Sequence, residues 1–101
     1  MNYNVRLIPS ARKDFKKLDG REKLLVAKQL KKLGSAPFSG EALGKRAGID
    51  LTGYYKLYAD KKRLRIVYRC VGDELDVEII AIGPREDLEV YHKAENRRND
   101  A

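Results

Sequence analysis

At 101 residues the chain has room for one domain and one modest hydrophobic core. Its 22 Lys and Arg exceed its 15 Asp and Glu, and the net charge of +7 favours polyanionic partners such as nucleic acid, an anionic membrane surface or an acidic protein. A single cysteine, Cys70, excludes an internal disulfide framework and a thiolate metal centre, and no apolar run is long enough for a membrane span.

The first residues, MNYNVRLIPS, lack the basic-then-apolar layout of a signal peptide, so a reducing cytoplasm is the expected location. Residues 3–8 alternate weakly around Val5, Leu7 and Ile8 and predict a strand. Pro9 and Ser10 end it, and the Ser10 hydroxyl is placed to cap a helix. In that helix Ala11, Phe15 and Leu18 share one apolar face. Asp19 and Glu22 then have the spacing of a capping box for a second helix. Val26, Leu30 and Leu33 form its stripe, flanked by Leu24 and Ala27. Gly34 is placed to end it in a left-handed conformation. The short link predicts an antiparallel helical hairpin. Its Lys13, Lys16, Lys17, Lys23, Lys28, Lys31 and Lys32 read as a solvated face.

Residues 35–52 carry Pro37, Gly40, Gly44 and Gly48 and predict a long loop with at most one short helical turn. Three strands follow, at 54–59, 63–71 and 75–82, joined as hairpins through Ala59-Asp60-Lys61-Lys62 and Gly72-Asp73-Glu74. Gly83-Pro84 stops the last strand. Residues 85–95 predict a short helix with Leu88, Tyr91 and Ala94 on one side. The polar residues 96–101 are expected to fray. The order βααβββα makes this a single α+β domain over residues 1–101. Its N-terminal strand joins an antiparallel three-stranded meander in one small sheet.

The stretch from Gly53 to Arg69, GYYKLYADKKRLRIVYR, carries the densest chemistry: six of its seventeen residues are Lys or Arg and four are Tyr. Alternation puts Tyr55, Leu57 and Ala59 on one face of the first strand, and Leu64, Ile66, Tyr68 and Cys70 on the matching face of the next. Lys56, Tyr58, Arg65 and Arg69 are then expected together on an open surface. Guanidinium groups there can hold phosphate oxygens and phenol rings can stack on unpaired bases. A polar outer face is also what many antiparallel sheets show without binding anything. Cys70, in an apolar pattern with no base beside it, reads as a core residue.

HExxH, P-loop, GxGxxG and GxSxG motifs are all missing. Asp76, Glu78, Glu86, Asp87 and Glu89 have no metal-binding spacing. They read as charge balance or as helix N-terminal residues. No metal or other cofactor is called for. If the chain is a nuclease, RNA is the natural substrate, because its 2′-hydroxyl is a built-in nucleophile. Such chemistry needs a base, cations around the phosphate and an acid for the leaving 5′-oxygen.

The segments SARKDFKKL, YYKLY, RLRIVYR and IAIGPREDLEVYHKA, in that order and spacing, resemble the RelE/ParE superfamily of toxins from type II toxin–antitoxin pairs, closest to its RelE-like branch. The resemblance covers nearly the whole chain. It implies a small sheet flanked by an N-terminal helical hairpin and a C-terminal helix. It also implies a metal-independent endoribonuclease that cuts mRNA in the ribosomal A site. On the family pattern Lys56, Arg65, Arg85 and Tyr91 are the catalytic positions, and Lys61, Lys62, Arg63 and Arg69 are RNA-binding candidates. Toxins of the RelE type carry a second lysine two residues after the first, and here that position is Tyr58. The base is therefore open among Lys56, Tyr91 and His92, with Tyr58 as a further base or a stacking auxiliary. His92 is also an ordinary solvent-facing helix residue, and Arg85 an ordinary helix N-terminal residue paired with Glu89. The implied partners are a cognate antitoxin with an acidic toxin-binding segment, mRNA and the ribosome. No membrane is implied, and DNA is reached only through the antitoxin. The alternatives are a ParE-like toxin that inhibits DNA gyrase without nuclease activity, and a binding module or decayed toxin.

Overall fold

Pro9 sets how the chain begins. Its ring fixes φ in the helical range and it has no N–H to leave unsatisfied, so it suits the first helical position. Strand β1 (Asn4–Leu7) stops short and helix α1 (Pro9–Lys16) starts, with Ile8 at the N-cap and no side-chain cap. Ser10, expected as the cap, lies inside the first turn instead. The computed structural model describes residues 3–46, 48–71, 76–84 and 89–97.

Helix α2 (Gly20–Ser35) opens on the expected capping box. The Asp19 carboxylate accepts from the Glu22 N–H at 2.7 Å, and the Glu22 carboxylate accepts from the Asp19 N–H at 3.0 Å. Val26 and Leu33 are fully buried, but Leu24 is 71% exposed, so the apolar stripe is narrower than its sequence. Gly34 does not terminate this helix. Its φ is not positive, and the helix runs one residue further, to Ser35. The Gly34 carbonyl instead accepts from the Tyr3 N–H at 2.6 Å, which ties the end of α2 to the start of β1.

Residues 35–52 are more ordered than a loop. They contain β2 (Glu41–Ala42), β3 (Lys45–Arg46) and β4 (Ile49–Asp50). β5 (Tyr55–Ala59), β6 (Leu64–Val71) and β7 (Asp76–Pro84) follow as the predicted meander, and α3 (Glu89–Arg97) closes the described chain. The turn expected at residues 72–74 and Leu88 lie outside the described residues. The main sheet runs β1-β7-β6-β5-β2, with β1 parallel to β7 and the other pairs antiparallel, while β3 and β4 form their own ribbon. The order read from sequence holds, with these three short strands added.

Between Val67–Ala81 and Tyr68–Ile79 the β6–β7 register skips Ile80. This bulge lets Ile79 and Ile82 both oppose residues of the apolar set, Tyr68 and Ile66. Tyr55 stacks on Tyr68 on the same face, with ring centroids 5.6 Å apart. Gly40 lets β2 reach β5. A Cβ there would lie 2.6 Å from the Tyr68 hydroxyl and closer still to the Lys56 carbonyl oxygen. The Gly40 N–H donates to that hydroxyl at 3.0 Å.

Because β1 ends at Leu7, β7 loses its outer neighbour past Ile79. Asp14 and Arg97 fill the gap. The Ile82 N–H donates to Asp14 Oδ2 at 3.1 Å, and Arg97 donates to the Ile80 carbonyl at 3.1 Å and to Asp14 Oδ2 at 2.6 Å. Asn96 and Arg97, expected to fray, are therefore the last turn of α3, held by a buried carboxylate; 98–101 lie outside the described residues.

Two consequences can be measured. Asp14→Ala leaves Arg97 and the Ile82 amide without their buried partner and should lower unfolding free energy by about 3–5 kcal/mol in denaturant titration. Gly40→Ala should cost about 1–3 kcal/mol, the range for overpacking a filled site, because β2 must withdraw from β5.

Candidate functional site

Lys56 and Tyr58, two apart on β5, share one face, and Tyr58 is directly opposite Arg65 on β6. α3 lies over the same face. Gly83, the partner of Arg65 on β7, lets α3 pack close, since an added Cβ would meet Val90 Cβ at 3.3 Å. α3 thereby delivers Tyr91 beneath Arg65, whose guanidinium carbon sits 4.5 Å from the Tyr91 ring centroid and 6.0 Å from that of Tyr58. The face expected to be open is closed at its middle, where Val67, Ala81, Val90 and Ala94 are all buried. What remains accessible is a cleft beside α3 and a groove beside the β5–β6 turn.

The cleft, about 340 Å³, lies between Lys56 and Tyr91 on one side and the β2–β4 segment on the other, with Ile49 and Leu51 in its wall. Lys56 donates to the Tyr58 hydroxyl at 3.0 Å, and its ammonium is 3.7 Å from the exposed Glu41 carboxylate. The bond to Tyr58 holds the Lys56 ammonium above the ordinary lysine range, against the opposing effect of burial. The same bond, aided by Arg65, holds the Tyr58 phenol below the ordinary tyrosine range. Lys62 is 5.9 Å from the Tyr58 ring, so three cations surround one phenol.

Lys61, Lys62 and Arg63 are exposed on the turn and line a groove of about 740 Å³ that leads to Arg65. Asp60, Lys61 and Lys62 all have positive φ, at 53°, 53° and 75°. The Asp60 carboxylate takes a two-pronged bond from Arg21 at 2.8 and 3.1 Å, which anchors this turn to α2.

Arg69 is on the same sheet face but faces a different environment. It donates to Glu78 Oε1 at 2.9 Å and to the Tyr54 hydroxyl at 3.2 Å, while Arg6 donates to Glu78 Oε2 at 2.7 Å. Glu78 thus serves as the charge balance expected of it. His92 is exposed on α3 and is not among the residues lining the cleft. Burial pushes the Cys70 thiol up, in keeping with a packing role. Arg85 lies outside the described residues. The sequence reading missed Glu41, because residues 35–52 read as loop; Gly40, forced by close approach, was the available signal.

A sequence model of the ParE toxin of type II toxin–antitoxin systems, parDE, matches residues 5–89. The chain belongs to the RelE/ParE superfamily of type II toxins. A RelE-like toxin protein of Escherichia coli is 33% identical to this toxin over 97 residues, which cover 96% of this chain and 98% of that one. The toxin–antitoxin complex RelBE2 of Mycobacterium tuberculosis aligns at a TM-score of 0.70 and 28% identity, over 84% of this chain and 100% of that chain. A mutant E. coli toxin RelE in the free state shares the fold at a TM-score of 0.76 and 24% identity, over 96% and 98% of the two chains.

The hydrogen bond at the site can be tested directly. Lys56→Met should move the Tyr58 ionisation upward, toward that of a free phenol. Phenolate absorbance on alkaline titration, taken as the difference from Tyr58→Phe in each background, reads the shift.

Proposed function

We propose that this toxin is an endoribonuclease that cuts mRNA on the ribosome, in its A site, using the 2′-hydroxyl of RNA as the nucleophile and no metal. The observation that carries the reading is the convergence of Lys56, Tyr58, Arg65 and Tyr91 from two strands and a helix into one cluster, in which Lys56 and Tyr91 line the cleft. Lys56 and Arg65 supply positive charge where the pentacoordinate phosphate gains negative charge. Tyr91, held under Arg65, orients the attacking sugar. Arg85 acts as, or positions, the acid for the leaving oxygen. The groove along Lys61, Lys62 and Arg63 gives the flanking phosphates a basic path. Products are a 2′,3′-cyclic phosphate or 3′-phosphate and a 5′-hydroxyl.

The partner in this reading is a cognate antitoxin whose toxin-binding segment is acidic and folds on the basic surface. The M. tuberculosis neighbour is itself a toxin–antitoxin complex. The antitoxin also supplies the DNA-binding part through which the pair represses its own operon.

A second reading has support of its own, since the matching family model is that of ParE. In it the toxin binds DNA gyrase and cuts no RNA. Mapping RNA ends after expression without antitoxin separates the two. The ribonuclease reading expects 5′-hydroxyl ends within coding sequences, and about 10²–10³-fold slower cleavage with Arg65→Ala or Arg85→Ala. Intact mRNA in arrested cells would overturn it, and gyrase-dependent DNA breaks would select the second.

A further inference from the structure

We infer that Tyr58 is the general base of the cleavage reaction, and that Lys56 keeps its proton and acts as the cation beside it. This role rests on the ribonuclease reading above.

The geometry assigns donor and acceptor. The Lys56 ammonium points at the Tyr58 oxygen at 3.0 Å, and Arg65 comes to the same phenol from β6. A phenol whose oxygen accepts from an ammonium, with a guanidinium close to its ring, is stabilised as the anion, and the ammonium that donates to it is stabilised as the acid. Both shifts run that way: the phenol is lowered and the ammonium is raised. Lys56 is thus a poor proton acceptor at neutral pH, and Tyr58 a better one than an isolated phenol.

The remaining candidates are placed for other work. Tyr91 has the Arg65 guanidinium over its ring face and lines the cleft from the α3 side. His92 is exposed on α3 and does not line the cleft. Cys70 contacts the Pro37 carbonyl and its thiol is pushed up. Among the described residues, the charged and titratable groups around Tyr58 are Lys56 on β5, Lys62 on the turn, Arg65 on β6 and Tyr91 of α3 beneath Arg65. Glu41 of β2 lies 3.7 Å from the Lys56 ammonium.

In the step that follows, the Tyr58 phenolate takes the proton of the 2′-hydroxyl. The 2′-oxygen forms a bond to phosphorus as the bond from phosphorus to the 5′-oxygen breaks. The 5′-oxygen leaves with a proton from the acid that Arg85 supplies or positions, and Tyr58 gives its own proton to water, which restores that acid, before the next turnover. Lys56 changes neither charge nor protonation. It stabilises first the phenolate and then the phosphorane.

Because the base must be ionised, the rate rises with pH and levels off above the Tyr58 ionisation, which lies lower than that of a free phenol. The test is single-turnover cleavage of an mRNA on programmed ribosomes across pH, with wild-type toxin, Tyr58→Phe, and toxin carrying a fluorinated tyrosine at position 58. Tyr58→Phe keeps the ring and its stacking face. It should bind ribosomes as before yet cleave about 10²–10⁴-fold more slowly. The fluorinated phenol, more acidic and nearly the same size, should cleave with its pH inflection moved to lower pH. Undiminished cleavage by Tyr58→Phe would make this residue a stacking platform and overturn the role. An inflection that ignores the fluorine would overturn it equally. No cleavage by the wild-type toxin would remove the ribonuclease reading and this role together.

Discussion

The far half of β7 is the constraint on which the rest of the molecule depends. Pro9 turns the chain into a helix before β1 can cover that half, which leaves the Ile80 carbonyl and the Ile82 amide on an unpaired edge. Buried backbone groups without partners are costly, and an open sheet edge invites other strands. Asp14 from α1 and Arg97 from α3 meet those groups and each other. One ion pair thereby closes the edge, joins the first helix to the last, and fixes α3 across the face where Tyr91 meets Arg65.

The basic residues of this face fall into two groups by their neighbours. Toward β1, Arg6 and Arg69 converge on the buried carboxylate of Glu78, so their charge is largely balanced within the fold. Toward the β5–β6 turn, Lys56, Lys62 and Arg65 gather around a phenol, and the Glu41 carboxylate that reaches Lys56 is 73% exposed. An exposed carboxylate is screened over short distances, so Glu41 offsets the Lys56 charge less than the buried Glu78 offsets that of Arg69.

The meander, its core face and the Lys56–Tyr58–Arg65 grouping were legible in the sequence because strand alternation is a local rule. Residues two apart share a face whatever the rest of the chain does. The capping box of α2 was legible for the same reason. Ser10 and Gly34 misled because each carries two local meanings. A serine after proline can cap or sit inside a first turn, and a glycine near a helix end can stop it or simply continue it. Arg69 was placed on the correct face but in the wrong company, since Glu78 is nine residues away along the chain and opposite it only through the β6–β7 register.

The sequence by itself determined the α+β order, the family resemblance and which strand residues carry charge outward, since all of these follow from short-range periodicity and motif spacing. Tertiary structure alone decided which cations are balanced and which face the cleft, and that the polar end of the chain is the last turn of a docked helix. It also decided the contact within the pair on β5. A hydrogen bond between Lys56 and Tyr58 sets the direction of both ionisations, and a proton's preference depends on distances that no one-dimensional pattern encodes.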